Sequence, residues 1–112
     1  MERIRVELAI FRSAGGRAPF EDWFARLCDR SVQARLIQRL DRLQAGNAGD
    51  CRSLGGGLSE VRVDAGPGYG IYFSRLSPGR CLILSGGSKR TQAADIERAR
   101  KWLDESRSNQ SR

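Results

Sequence analysis

Between Leu58 and Ser85 the chain reads as three short strands separated by two turns that admit little but a reversal of direction. Leu58 to Asp64 alternates: Val61 and Val63 point to one face, and Glu60, Arg62 and Asp64 to the other. Gly66-Pro67-Gly68 follows, then Tyr69 to Leu76, then Ser77-Pro78-Gly79, then the nearly continuous apolar run from Cys81 to Ser85. Links this short join neighbouring antiparallel strands, and an apolar run without alternation suits a strand covered on both faces.

The flanking segments supply the layers such a sheet requires. Residues 3 to 11 alternate, with Ile4, Val6, Leu8 and Ile10 opposite Arg3, Arg5 and Glu7, which predicts a further half-buried strand. After a loop at Gly15-Gly16, Pro19 opens a helix in which Phe20, Trp23, Phe24 and Leu27 form an apolar stripe. Asp29 or Ser31 caps a second helix running to about Ala45, with Val32, Leu36, Leu40 and Leu43 on its inner face, and Gly46 stops it. The short link between these helices predicts an antiparallel hairpin. Residues 46 to 57 read as a glycine-rich connection holding Asp50, Arg52 and Leu54. A last helix is expected from Thr91 or Gln92 to Glu105, burying Ile96, Ala99 and Leu103.

These elements define an α+β fold in the order β-α-α-β-β-β-α: a small, mostly antiparallel four-stranded sheet, a helical hairpin on one face, and a C-terminal helix. The other face is expected to display Glu60, Arg62, Asp64, Gly70, Tyr72 and Ser74. A chain of 112 residues that is 39% apolar has material for one core, so residues 1 to 105 are expected to form a single domain and the polar tail 106 to 112 to fray.

Charge and cysteine usage narrow the chemistry. Lys and Arg number 20 against 13 Asp and Glu, a net charge of +7, which favours a polyanionic partner, nucleic acid above all. Cys28, Cys51 and Cys81 include no CxxC pair and the chain has no histidine, so neither a zinc site nor a disulfide framework is expected. No metal or cofactor is expected. The N-terminus lacks a leader pattern and no run reaches the length of a membrane span, so the expected location is cytoplasmic. Arg62, Lys89 and Arg90 are expected near one another, a phosphate-handling group without a histidine base.

The segments ARLIQRLDRLQAGNAGD, LSEVRVDAGPGYGIYF and LSGGSKRTQAADIERAR, in this order and spacing, resemble the RelE/HigB-like toxins of type II toxin–antitoxin systems. The subgroup most similar is that of the addiction module killer proteins, or phage-derived HigB-like toxins, and the resemblance covers about residues 4 to 104. It implies a RelE-like fold and an endoribonuclease that cuts messenger RNA on the ribosome and so inhibits translation. It also implies a co-encoded antitoxin, often a helix-turn-helix protein. On this resemblance Arg62 matches the family's basic strand residue, and Lys89 and Arg90 match its basic loop. Gln92 matches a KxTQ-type segment, Asp95 the opening of the last-helix motif, and Tyr69 the aromatic of the GPGY turn. The family usually has Arg directly after that tyrosine, where this chain has Gly70. A catalytically weakened RNA- or protein-binding member therefore stands as an alternative. So does a gyrase inhibitor like the ParE branch, which shares the fold.

Metal-independent RNA cleavage sets the ribose 2′-OH against its own phosphate, and fixed cations stabilise the charge gathered on the phosphorane. Arg62 and Arg90 suit that role, Lys89 could stabilise charge or protonate the leaving 5′ oxygen, and Gln92 completes the candidate catalytic set. Without histidine the base would be a carboxylate, a lysine of depressed pKa, or nothing strong at all; Glu60 and Asp95 are the carboxylate candidates, Asp95 more readily as a charge supporting a helix N-terminus. Arg52 and Glu60 are placed with the RNA-binding surface, and Tyr69 or Tyr72 offers a face on which a base can stack.

Overall fold

The computed structural model of the chain describes residues 5 to 110. Their order is β1 (Glu7–Ile10), α1 (Pro19–Ala25), α2 (Arg30–Gln44), β2 (Cys51–Gly55), β3 (Leu58–Val63), β4 (Tyr69–Ser77), β5 (Arg80–Ser88) and, after a single 3₁₀ turn at Lys89–Thr91, α3 (Gln92–Gln110). The anticipated meander is present, with β4 antiparallel to both β3 and β5.

The sheet nevertheless has five strands, in the order β1-β5-β4-β3-β2, and it is mixed because β1 runs parallel to β5. The extra strand, β2, lies within the segment expected to be a connection. It pairs antiparallel with β3, bringing Cys51 opposite Val61 and Arg52 opposite Glu60. The glycines that disguise it make its turn: Gly55, Gly56 and Gly57 have φ of 85°, 65° and 90°, a region side chains disfavour. β1 is shorter than its alternation suggests, and Arg3 and Ile4 lie outside the described residues.

Both faces of the sheet are covered. On one, α1 packs over β5 and α2 over β3, around Phe20, Leu36, Leu43, Val61, Ile71, Phe73 and Ile83. The two helices thus rest on different strands, and Gln33 ties them by donating from Nε2 to the carbonyls of Phe24 and Leu27, each at 3.1 Å. Asp29 caps α2 by accepting from the Ser31 and Val32 amides at 2.9 and 3.3 Å, and its hydrogen bond to the Ser31 hydroxyl does most to hold its carboxyl below the usual range.

The other face, expected to be open, carries α3, which packs Ala99 and Leu103 onto Leu58, Tyr72 and Leu84. α3 also runs through the stretch expected to fray. Ser106 is buried, and Arg107 donates to the Gly56 carbonyl at 2.9 Å, two turns beyond Arg100, which donates to the Leu54 and Gly55 carbonyls. Those side-chain bonds to the β2–β3 turn hold a polar helix end that propensity alone leaves marginal.

One irregularity positions the site. The pairing of β4 with β5 steps from Phe73 opposite Ile83 to Tyr72 opposite Ser85, so Leu84 is a bulge residue. Beyond it Gly86 lies under Trp23 of α1 and Gly87 under Asp95 of α3.

Candidate functional site

Arg62 of β3, Gly70 of β4 and Gly87 of β5 stand opposite one another across three strands. Two adjacent glycines leave the sheet without side chains at this level, and α3 begins only at Gln92. The space between is a cleft of about 380 Å³. The Gly66–Gly68 turn closes one end, pinned to the 3₁₀ turn by the Lys89 amide donating to the Gly68 carbonyl at 2.9 Å.

Glu60 forms the cleft floor. Its side chain is 2% exposed, and each carboxylate oxygen accepts a hydrogen bond: Oε1 from Arg52 Nε at 2.8 Å, Oε2 from Gln92 Nε2 at 2.9 Å. A carboxylate taken out of water needs such partners, since leaving one unpaired costs several kcal/mol or neutralises it. The carboxylate lies directly over Gly70. A Cβ there would collide with Oε2 and come within 3.1 Å of Cδ. Any side chain at position 70 would therefore have to displace the Glu60 carboxylate from its present place between Arg52 and Gln92.

Asp95 repeats the arrangement one strand on. It is buried over Gly87, where a Cβ would run into Oδ2, and it accepts from the Thr91 hydroxyl at 2.5 Å and Arg98 Nη2 at 2.8 Å. Tyr72 is fully buried beside these carboxylates, and its hydroxyl has no hydrogen-bond partner. Burial first, then the negative charges of Glu60 and Asp95, push its phenol well above the ordinary range.

The cleft gathers Arg62, Lys89, Gln92, Glu60, Tyr69 and Tyr72 from the residues singled out in the sequence. Arg52 stands behind Glu60 as its ion-pair partner. Arg90 is exposed and outside the lining, which corrects the expected trio of Arg62, Lys89 and Arg90. In a 3₁₀ turn successive side chains point about 120° apart, so Lys89 and Arg90 leave the turn in different directions. Asp95 lines a different cavity. Tyr69 packs against Trp23 with ring centroids 6.1 Å apart. Sequence reasoning missed Asp50 as a site residue. Its Oδ1 accepts from Arg62 Nε and Nη2 at 3.1 and 2.9 Å, and only the undetected β2 brings the two together. Arg62 and Lys89 thus face Asp50, Glu60 and Asp64, so the lining sets two cations against three carboxylates and is not a plain basic patch.

The cysteines stand apart from this cleft. Cys28 is exposed, while burial pushes up the thiols of Cys51 and Cys81. Among the described residues no group of three or more His, Cys, Asp or Glu side chains is arranged to hold a metal ion. No helix among them is long and apolar enough to cross a membrane.

Fold and cleft define an α+β protein with a five-stranded mixed sheet between two helices and one, carrying a polar cleft where the last helix starts. No family model matches the chain. An uncharacterized protein of Haemophilus influenzae is 37% identical to it over 81 residues, covering 72% of this chain and 82% of that one. The chain belongs to the same family as this Haemophilus protein.

Proposed function

We propose that the protein is the toxin of a type II toxin–antitoxin pair of the RelE/HigB-like kind, an mRNA endoribonuclease acting in the cytoplasm on ribosome-bound message. The observation that carries the reading is convergence: Arg62, Lys89, Gln92 and Glu60 come from three separate elements and line one cleft. In the proposed reaction the 2′-oxygen attacks the adjacent phosphorus and the P–O5′ bond breaks. Glu60, whose oxygens keep lone pairs beyond those used by Arg52 and Gln92, takes the 2′-OH proton. Lys89 returns a proton to the leaving 5′ oxygen, and the Arg62 guanidinium, exchanging Asp50 for phosphate, stabilises the phosphorane. Tyr69 at the rim stacks on a base, Arg90 meets flanking phosphate, and Asp95 fixes the start of α3 and with it Gln92. A helix-turn-helix antitoxin encoded beside the gene is the expected partner.

Induced expression without that partner, with 5′ ends of cellular mRNA mapped before and after, tests this reading. New ends inside coding regions support it; growth arrest without them sinks it.

A second reading draws on Gly70. With Glu60 lying over it, the middle of the cleft carries a carboxylate and no cation, which suits a member that binds RNA or protein without cutting. Arrest accompanied by retained RNA and intact message would mark that case. Loss of DNA supercoiling activity in purified gyrase would mark a ParE-like inhibitor instead.

A further inference from the structure

A second cavity, of about 360 Å³, lies across β5 from the first. It exists because β1 pairs with β5 no further than Ile83, so the last part of β5 has no strand on that side. α1 and α3, from opposite faces of the sheet, border the gap. Each contributes an indole, Trp23 from α1 and Trp102 from α3, and these are the only tryptophans in the chain. Gly86 lets Trp23 lie against the strand: a Cβ there would strike the six-membered ring of the indole.

Three arginines line the same cavity. Arg17 is bound to Asp22 and Arg98 to Asp95, whereas Arg26 has no carboxylate partner among the described residues. The Ser85 hydroxyl lies in the lining, 4% exposed and with no hydrogen-bond partner. A buried hydroxyl without a partner calls for an explanation, and a ligand group is one. Two aromatic faces, a free guanidinium and an unsatisfied hydroxyl match the parts of a nucleotide: a base to stack, a phosphate, and a polar base edge or ribose hydroxyl.

We propose that this cavity is a nucleotide-binding subsite, with the base held against Trp23 and Trp102, the phosphate on Arg26, and a hydrogen bond to Ser85 Oγ. The nucleotide is either a free mononucleotide or one unit of a single-stranded RNA. The site is separate from the cleft of Glu60 and Arg62 and stands whether or not that cleft cleaves anything.

The two tryptophans make the site self-reporting. The full chain is titrated with 5′-AMP, with a six-residue oligoadenylate and with inorganic phosphate while indole emission is recorded. Trp23→Phe and Trp102→Phe variants separate the two signals. Saturable quenching of both indoles by AMP supports a free nucleotide ligand, and quenching by the oligomer alone supports an RNA unit. Phosphate is expected to leave emission unchanged. Arg26→Ala, which breaks no ion pair, is expected to weaken binding roughly 3- to 10-fold through loss of one phosphate contact. Trp102→Leu is expected to weaken it roughly 5- to 100-fold through lost stacking. Titration of an Arg62→Ala/Lys89→Ala variant with AMP should give the unaltered curve, which keeps this result distinct from events in the first cleft, where the oligomer also binds on the reading proposed above. Absence of quenching by both nucleotide ligands at millimolar concentration overturns the proposal. So does quenching that Arg26→Ala leaves unchanged, or AMP quenching that disappears in the Arg62→Ala/Lys89→Ala protein.

Discussion

The carboxylate of Glu60 rests on the α-carbon of Gly70, its cross-strand diagonal neighbour, and occupies the volume that any side chain at position 70 would need. Arg62, not Glu60, stands directly opposite Gly70, so the contact arises because Glu60 reaches along the sheet toward Gln92.

Enlarging position 70 should therefore damage the protein rather than equip it. Gly70→Ala is expected to destabilise by about 1–3 kcal/mol through overpacking. Gly70→Arg should do at least as much harm and should abolish the Gln92–Glu60 bond. Denaturant unfolding measures both. In a double-mutant cycle, Glu60→Ala should relieve part of the Gly70→Ala penalty; strictly additive effects would mean the two residues do not meet.

Removing the cleft cations should separate activity from stability. The Arg62–Asp50 pair is 52% and 59% exposed, so its loss should change stability by no more than about 1 kcal/mol. If Arg62 stabilises a phosphorane, Arg62→Ala should slow RNA cleavage by roughly 10²–10³-fold. Single-turnover cleavage of a defined message, read beside the melting temperature, checks both halves. Equal toxicity of an Arg62→Ala/Lys89→Ala protein would remove these residues from the mechanism.

Alkaline pH should weaken the fold through Tyr72. Its folded pKa is raised, by burial first, so the unfolded state loses the phenol proton at a lower pH than the native state. The native state then holds more protons, and stability falls as pH rises past about 10, the ordinary tyrosine value. The raised thiols of Cys51 and Cys81 act in the same direction, beginning near the ordinary cysteine range. Melting temperatures from pH 7 upward should be flat and then decline, and Tyr72→Phe should lessen the decline above pH about 10.

Two neighbouring residues of α2 test the assignment of its inner face. Leu36 is fully buried while Ile37 is 47% exposed. Leu36→Ala is expected to cost about 2–5 kcal/mol, from lost burial plus a cavity. Ile37→Ala should stay within about 0.5 kcal/mol. Chemical denaturation of the two variants gives the contrast directly, and similar values would refute the packing of α2 on β3.

The meander and the helical stripes were legible because their signals are local: Gly66-Pro67-Gly68 and Ser77-Pro78-Gly79 dictate reversals, and the spacing of Val32, Leu36 and Leu43 dictates a face. β2 was hidden because Gly55, Gly56 and Gly57 depress strand propensity while serving a tight turn. The cover of α3 was hidden because the face it meets bears Glu60 and Arg62, which read as solvent-facing. In the site, Arg62, Lys89, Gln92 and Glu60 were recognised by type and order. The embrace of Glu60 and Gly70 depends on strand register and on Gln92 arriving from a different element, neither of which spacing along the chain encodes. Arg90 went astray for a local reason, the 3₁₀ turn that rotates it away from Lys89.

The bulge at Leu84 acts as a change of phase within β5. Downstream of it the strand presents Ser85 and Gly87 to α3 and Gly86 to α1. Leu84 and Ser85 both face α3, because the extra residue belongs to β5 alone and the regular alternation of β4 sets the faces on either side of it. A one-residue deletion that erased the bulge would therefore leave Ser85 opposite Tyr72, Gly86 opposite Ile71 and Gly87 opposite Gly70, each on its present face. Its damage would be confined to the apolar contact that Leu84 makes beneath α3.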